Sequence, residues 1–78
     1  MITTVHPTAI VDPAARLGDG VEVGPWVMIG PDVTVGDRCR IGPRARLQRN
    51  VRLAADVSIG DGAILGGDPQ DLKFRGEE

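Results

Sequence analysis

From Val5 to Leu65 every sixth residue is a branched aliphatic: Val5, Val11, Leu17, Val23, Ile29, Val35, Ile41, Leu47, Leu53, Ile59 and Leu65. Four residues beyond each of the first ten stands a small or β-branched residue, from Ala9, Ala15 and Val21 through Cys39 and Ala45 to Val57 and Ala63. No insertion interrupts the run. The residue after the large aliphatic is mostly glycine, and the next is often Pro or Asp, as in Gly24-Pro25, Gly36-Asp37 and Gly42-Pro43. Glycine tolerates positive φ and proline fixes φ, so each hexad reads as a short strand and a tight corner. The small residue and the next large aliphatic are two apart and face the same side of the strand. That side is the interior.

Six residues per side is the signature of the hexapeptide β-helix. The expected fold class is all-β, a left-handed parallel β-helix with three hexads per coil and between three and four coils. The three-sided, left-handed form is taken from that repeat class, since the spacing alone leaves handedness open. With three sides, residues 18 apart stack, giving internal columns Val5-Val23-Ile41-Ile59, Val11-Ile29-Leu47-Leu65 and Leu17-Val35-Leu53. On the outside the same offset sets Glu22 beside Arg40, Arg38 beside Asp56 and Trp26 beside Arg44, which suits ion pairs and a cation–π pair. The β-helix is expected over residues 1–68, with 69–78 a loop or tail leaving the coil.

Composition narrows the function classes. In 78 residues there are one Trp, one Phe and no Tyr, so the core is a narrow stack of aliphatics. A net charge of -2 argues against a nucleic-acid binder held by bulk electrostatics. With Cys39 the only cysteine and His6 the only histidine, neither a disulfide framework nor a histidine-cysteine metal site is expected. The N-terminal "MITTVHPTAIVDP" lacks a basic stretch followed by an apolar run, and no segment approaches a membrane span in length. A cytoplasmic protein without membrane insertion is the expectation.

Candidate functional residues have competing readings. Arg38, Arg40, Arg44, Arg46, Arg49 and Arg52 form a run without an acid, which suits either an anion site or a solvated exterior spread over several faces. The solvated exterior is favoured, because two of the arginines have predicted acidic neighbours. His6 sits in a turn without a visible partner and reads as structural rather than as a general base. Cys39 occupies an inward small-residue position and reads as a packed thiol rather than a nucleophile. In "PQDLKF" the beat stops at Pro69. Leu72 and Phe74 are apolar and could pin a loop to the coil, presenting Gln70, Asp71 and Lys73 to a sugar hydroxyl or phosphate. An ordered loop without a ligand fits the residues equally well.

The opening "VHPTAIVDPAA", the "IGP" and "VGP" turns and above all "GGDPQDLKFRGE" resemble the N-terminal part of the UDP-N-acetylglucosamine O-acyltransferase family of lipid A biosynthesis. The resemblance covers the whole chain, and its "QDLK" stretch is more specific than the shared hexad repeat. It implies a homotrimer that moves a hydroxyacyl chain from acyl carrier protein to the 3-hydroxyl of UDP-N-acetylglucosamine, without a cofactor. It assigns Gln70, Asp71 and Lys73 to substrate binding in a cleft between subunits. The histidine segment that supplies the family's general base has no counterpart here, so no catalytic residue is assigned and the chain reads as a fragment or short homologue, inactive alone. The alternatives are a non-catalytic β-helix module for self-assembly and a related sugar-nucleotide transferase that acylates an amine. The single histidine disfavours a zinc carbonic anhydrase.

Overall fold

The computed structural model describes residues 2–66 and 70–72. Its regular elements are all short strands, in three parallel sheets that form the sides of a solenoid. The first sheet stacks β1 (Thr4–Val5), β4 (Glu22–Val23), β7 (Arg40–Ile41) and β10 (Ser58–Ile59). The second stacks β2 (Ile10–Val11), β5 (Met28–Ile29), β8 (Arg46–Leu47) and β11 (Ile64–Leu65). The third stacks β3 (Arg16–Leu17), β6 (Thr34–Val35), β9 (Val51–Leu53) and β12 (Gln70–Leu72). This is the hexapeptide-repeat β-helix that the beat of six predicts, with no α-helix among the described residues.

Register follows the 18-residue coil: Val5 pairs with Val23, Val23 with Ile41 and Ile41 with Ile59. The outward residues follow. Glu22 pairs with Arg40 at 3.6 Å, and Arg38 grips Asp56 at 2.9 and 3.1 Å. The corners bearing Trp26 and Arg44 lie on adjacent coils, joined where the Arg44 N–H donates to the Pro25 carbonyl at 2.9 Å. These ion pairs are exposed and mark the register more than they hold it.

The last strand departs from the beat. Gln70 pairs with Val51, Asp71 with Arg52 and Leu72 with Leu53, an offset of 19 residues rather than 18. The stretch expected to leave the coil from residue 69 therefore contains a strand of the third sheet. One residue added between β11 and β12 explains why the beat read from sequence stops at Pro69.

The core lies in the second and third coils, where Val21, Val27, Val33, Cys39, Ala45 and Val51 are fully buried and Leu47 nearly so. In the first coil Ala9, Val11, Ala15 and Leu17 are only partly covered, because they have a neighbouring coil on one side. Corner position decides the backbone. Trp26, Asp32, Arg38, Arg44, Asn50 and Asp56 all adopt φ between 56° and 64°, in step with the hexad.

Cys39 faces inward, and its thiol donates to the Ala54 carbonyl at 3.0 Å. Burial pushes its pKa up, outweighing the backbone hydrogen bonds that favour the thiolate. Native labelling by a thiol reagent is expected to be slow and to accelerate on adding urea; fast native labelling would mean that the hexad phase is wrong. The same shift has a pH consequence. The unfolded thiol ionises first, so the stability Cys39 contributes is complete below the ordinary thiol pKa. It falls as pH rises from there towards the higher folded value. Urea midpoints should fall over that alkaline window, and Cys39→Ala should remove that component.

Candidate functional site

On the outer side of the first sheet the residues just before each large aliphatic form a column, Thr4-Glu22-Arg40-Ser58. Beside it runs the glycine side of the corner, Gly24 and Gly42. Without side chains there, the surface is recessed into an open concavity of about 650 Å³, lined by Thr4, Glu22, Gly24, Arg40, Gly42 and Ser58 among others. Stacking demands these glycines: a Cβ on Gly42 would come within 2.8 Å of the Ile59 carbonyl oxygen. The concavity offers two hydroxyls and an exposed carboxylate–guanidinium pair. Such groups can hydrogen-bond a polyhydroxylated or anionic ligand. Among the described residues the concavity contains neither cysteine nor histidine.

The sequence-derived residues fall elsewhere. Gln70 and Asp71 lie on β12 in the third sheet, at the register positions of Val51 and Arg52. Lys73 lies outside the described residues. Gln70 and Asp71 are thus not at the first-sheet concavity. The concavity itself escaped the sequence reading, although the glycine corner next to Glu22 and Arg40 was a usable signal: a small-residue stripe beside polar outward positions.

His6 is a turn residue. Its Nδ1 accepts from the Thr8 N–H at 3.2 Å and lies 2.8 Å from Thr8 Oγ1, which also accepts from the Trp26 N–H at 2.9 Å. Asp12, at the same hexad position of the next corner, does likewise by accepting from the Ala14 N–H at 2.8 Å. The imidazole therefore stands in for an aspartate in a local turn.

The arginine run is dispersed over the exterior. Arg40, Arg46 and Arg52 belong to β7, β8 and β9, one in each sheet. Arg38 is held by Asp56, whose hydrogen bond and charge raise the guanidinium pKa still further. No single anion cradle results. Among the described residues no group of three or more His, Cys, Asp or Glu could hold a metal ion.

Residues 14–49 match the bacterial transferase hexapeptide, in its six-repeat form. No curated protein sequence matches the chain. Among solved structures, the chain resembles a mutant of perosamine N-acetyltransferase from Caulobacter crescentus in complex with CoA and GDP-perosamine. The identity is 26% over 91% of this chain and 51% of that one, with a TM-score of 0.53. A second mutant of GDP-perosamine N-acetyltransferase from Caulobacter crescentus, again with CoA and GDP-perosamine, is 27% identical over 91% of this chain and 51% of its own, with a TM-score of 0.51. The chain spans about half the length of these structures.

Proposed function

We propose that the chain is a hexapeptide-repeat acyltransferase module acting on a nucleotide sugar. More narrowly, it is a fragment or short homologue of the acyl carrier protein-dependent enzyme that acylates the 3-hydroxyl of UDP-N-acetylglucosamine in lipid A biosynthesis. The transferase part of this reading is supported by the family match over residues 14–49 and by the likeness to acetyltransferases solved with CoA and a sugar nucleotide. The observation that carries the narrower part is the "GGDPQDLKFRGE" stretch, with Gln70 and Asp71 on the last strand of the third sheet. In this reading Gln70, Asp71 and Lys73 bind the nucleotide sugar, and copies of the chain associate as a cytoplasmic homotrimer.

A second reading has a specific observation behind it. The two mutant structures of the one acetyltransferase both hold CoA and GDP-perosamine, which favours N-acetylation with a CoA thioester as donor. The acceptor decides between the two.

The test is binding and turnover with both acceptor–donor pairs. UDP-N-acetylglucosamine is expected to bind weakly, and a Gln70→Ala/Asp71→Ala/Lys73→Ala variant to lose at least tenfold in affinity, about the loss of one to two hydrogen bonds to charged groups. Preference for a GDP-linked amino sugar, or unchanged affinity in the variant, would overturn the narrower reading. Turnover by these 78 residues is expected at background with either donor. General base catalysis contributes about a hundred- to ten-thousandfold, and the sole histidine, His6, is committed to its turn. Robust turnover would mean that another group serves as base.

A further inference from the structure

The second sheet presents an apolar exterior. Its outward column reads Ile10, Met28, Arg46 and Ile64, with exposures of 62% for Ile10, 43% for Met28 and 60% for Ile64. At the corner between the first and second sheets Trp26 is 62% exposed. Trp26 also holds φ at 61°, a left-handed conformation in which a bulky side chain is disfavoured. The equivalent corner position carries Gly20, Asn50 and Gly62, which suit this conformation, and also Asp32, Arg38, Arg44 and Asp56. Trp26 is the one aromatic side chain in this set, and it buries little of itself. Trp, Met and Arg are the residue types enriched in the centres of protein interfaces.

We infer that this face is covered by a second copy of the chain, and that the Trp26 corner of one copy seats on the Ile10–Met28–Ile64 face of the next. The inference rests on the self-association reading above and names its contact. The directions of a face and its adjacent corner differ by half the angle between two faces. A heterologous contact between them turns each copy so that three close a ring. About an axis parallel to the coils, equivalent coils stay level. The indole then lies level with Met28 and one coil from Ile10 and Arg46, which permits sulfur–aromatic contact and stacking of the guanidinium on the ring. Asp61, on the same corner two coils above Trp26, is one coil from the level of Arg46 and offers it a carboxylate. Arg44 is the like-charged neighbour that this carboxylate offsets.

Two other self-contacts fit less well. Face-to-face packing of two second sheets would oppose Arg46 to its own copy. Among the described residues, the corner between the second and third sheets carries Asp32, Arg49 and Asn50 and no aromatic residue.

Light scattering across protein concentration, with circular dichroism as a fold control, tests this. The unmodified chain is expected to be trimeric. Trp26→Asn relieves the backbone, so the coil should remain folded while the midpoint concentration for assembly rises at least about tenfold, as for loss of an interface anchor. Met28→Lys should act in the same direction through the opposite half of the contact. A folded Trp26→Asn trimer with an unchanged midpoint would overturn the interface while leaving trimerisation intact. A monomer, a dimer or an open filament of the unmodified chain would overturn both.

Discussion

Gly30→Ala is expected to destabilise the solenoid severely, and Gly60→Ala to leave it intact or slightly stabilised. Both glycines follow a large aliphatic in the hexad and neither has a positive φ. They differ in what lies above them. A Cβ on Gly30 would fall onto the Gln48 carbonyl oxygen, with the Gln48 carbonyl carbon at 2.7 Å. That backbone cannot retreat, because the Gly30 N–H donates to the Leu47 carbonyl at 2.7 Å and β5 and β8 are paired. Relief would require the second and third coils to part on that side, opening the buried column of Ile29 and Leu47. Overpacking of this kind costs about 1–3 kcal/mol and more when backbone opposes backbone; here the upper end or beyond is expected. Among the described residues a Cβ on Gly60 meets nothing within 4 Å, so the substitution should act mainly on the unfolded chain and add about 0.4–1 kcal/mol. Urea unfolding of the two variants beside the parent checks the contrast. Similar midpoints for the two would mean that the coils are not stacked at the observed register.

Sequence reached the architecture because this fold repeats its instructions. Val23, Ile41 and Ile59 each specify the same inward site, so a single misread residue could not have hidden the coil. The outward pair Glu22–Arg40 added an independent check on coil length, since any other length would have separated it. Gln70–Leu72 was read differently for a physical reason. One inserted residue breaks a period of six, whereas the backbone resumes pairing with β9 beyond it. The concavity was missed for another reason: it is made by side chains that are absent, at Gly24 and Gly42, and a reading keyed to chemically active residues passes over them. The sequence sets Trp26 beside its charged neighbour Arg44, but the backbone conformation of Trp26 is set by the corner and is visible only in the structure. The ligand remains the least legible part, because Gln70 and Asp71 belong to a strand edge whose chemical meaning comes from resemblance rather than from packing.

Leu47→Ala is expected to cost about 2–5 kcal/mol, the range for deleting a buried leucine side chain, and Leu17→Ala substantially less. Both hold the large inward position of a hexad. Leu47 is flanked by Ile29 and Leu65 on the coils below and above and is 1% exposed. Leu17 has Val35 on one side only and is partly open. In a solenoid each coil contacts only its neighbours, so stability is close to a sum of coil and interface contributions. A cavity at Leu47 weakens two interfaces at once, and one at Leu17 weakens a single interface with the next coil. For a chain this small the net stability is only a few kcal/mol, so the Leu47 variant should be largely unfolded at room temperature. Amide hydrogen exchange separates the outcomes. In the parent, amides of β4 to β8 should be the slowest, and in Leu17→Ala the loss of protection should be confined to β1 to β3. In Leu47→Ala it should spread through every sheet. Equal destabilisation by the two substitutions would contradict a core centred on the second and third coils, and would place the cooperative unit in the whole stack rather than in its neighbouring pairs.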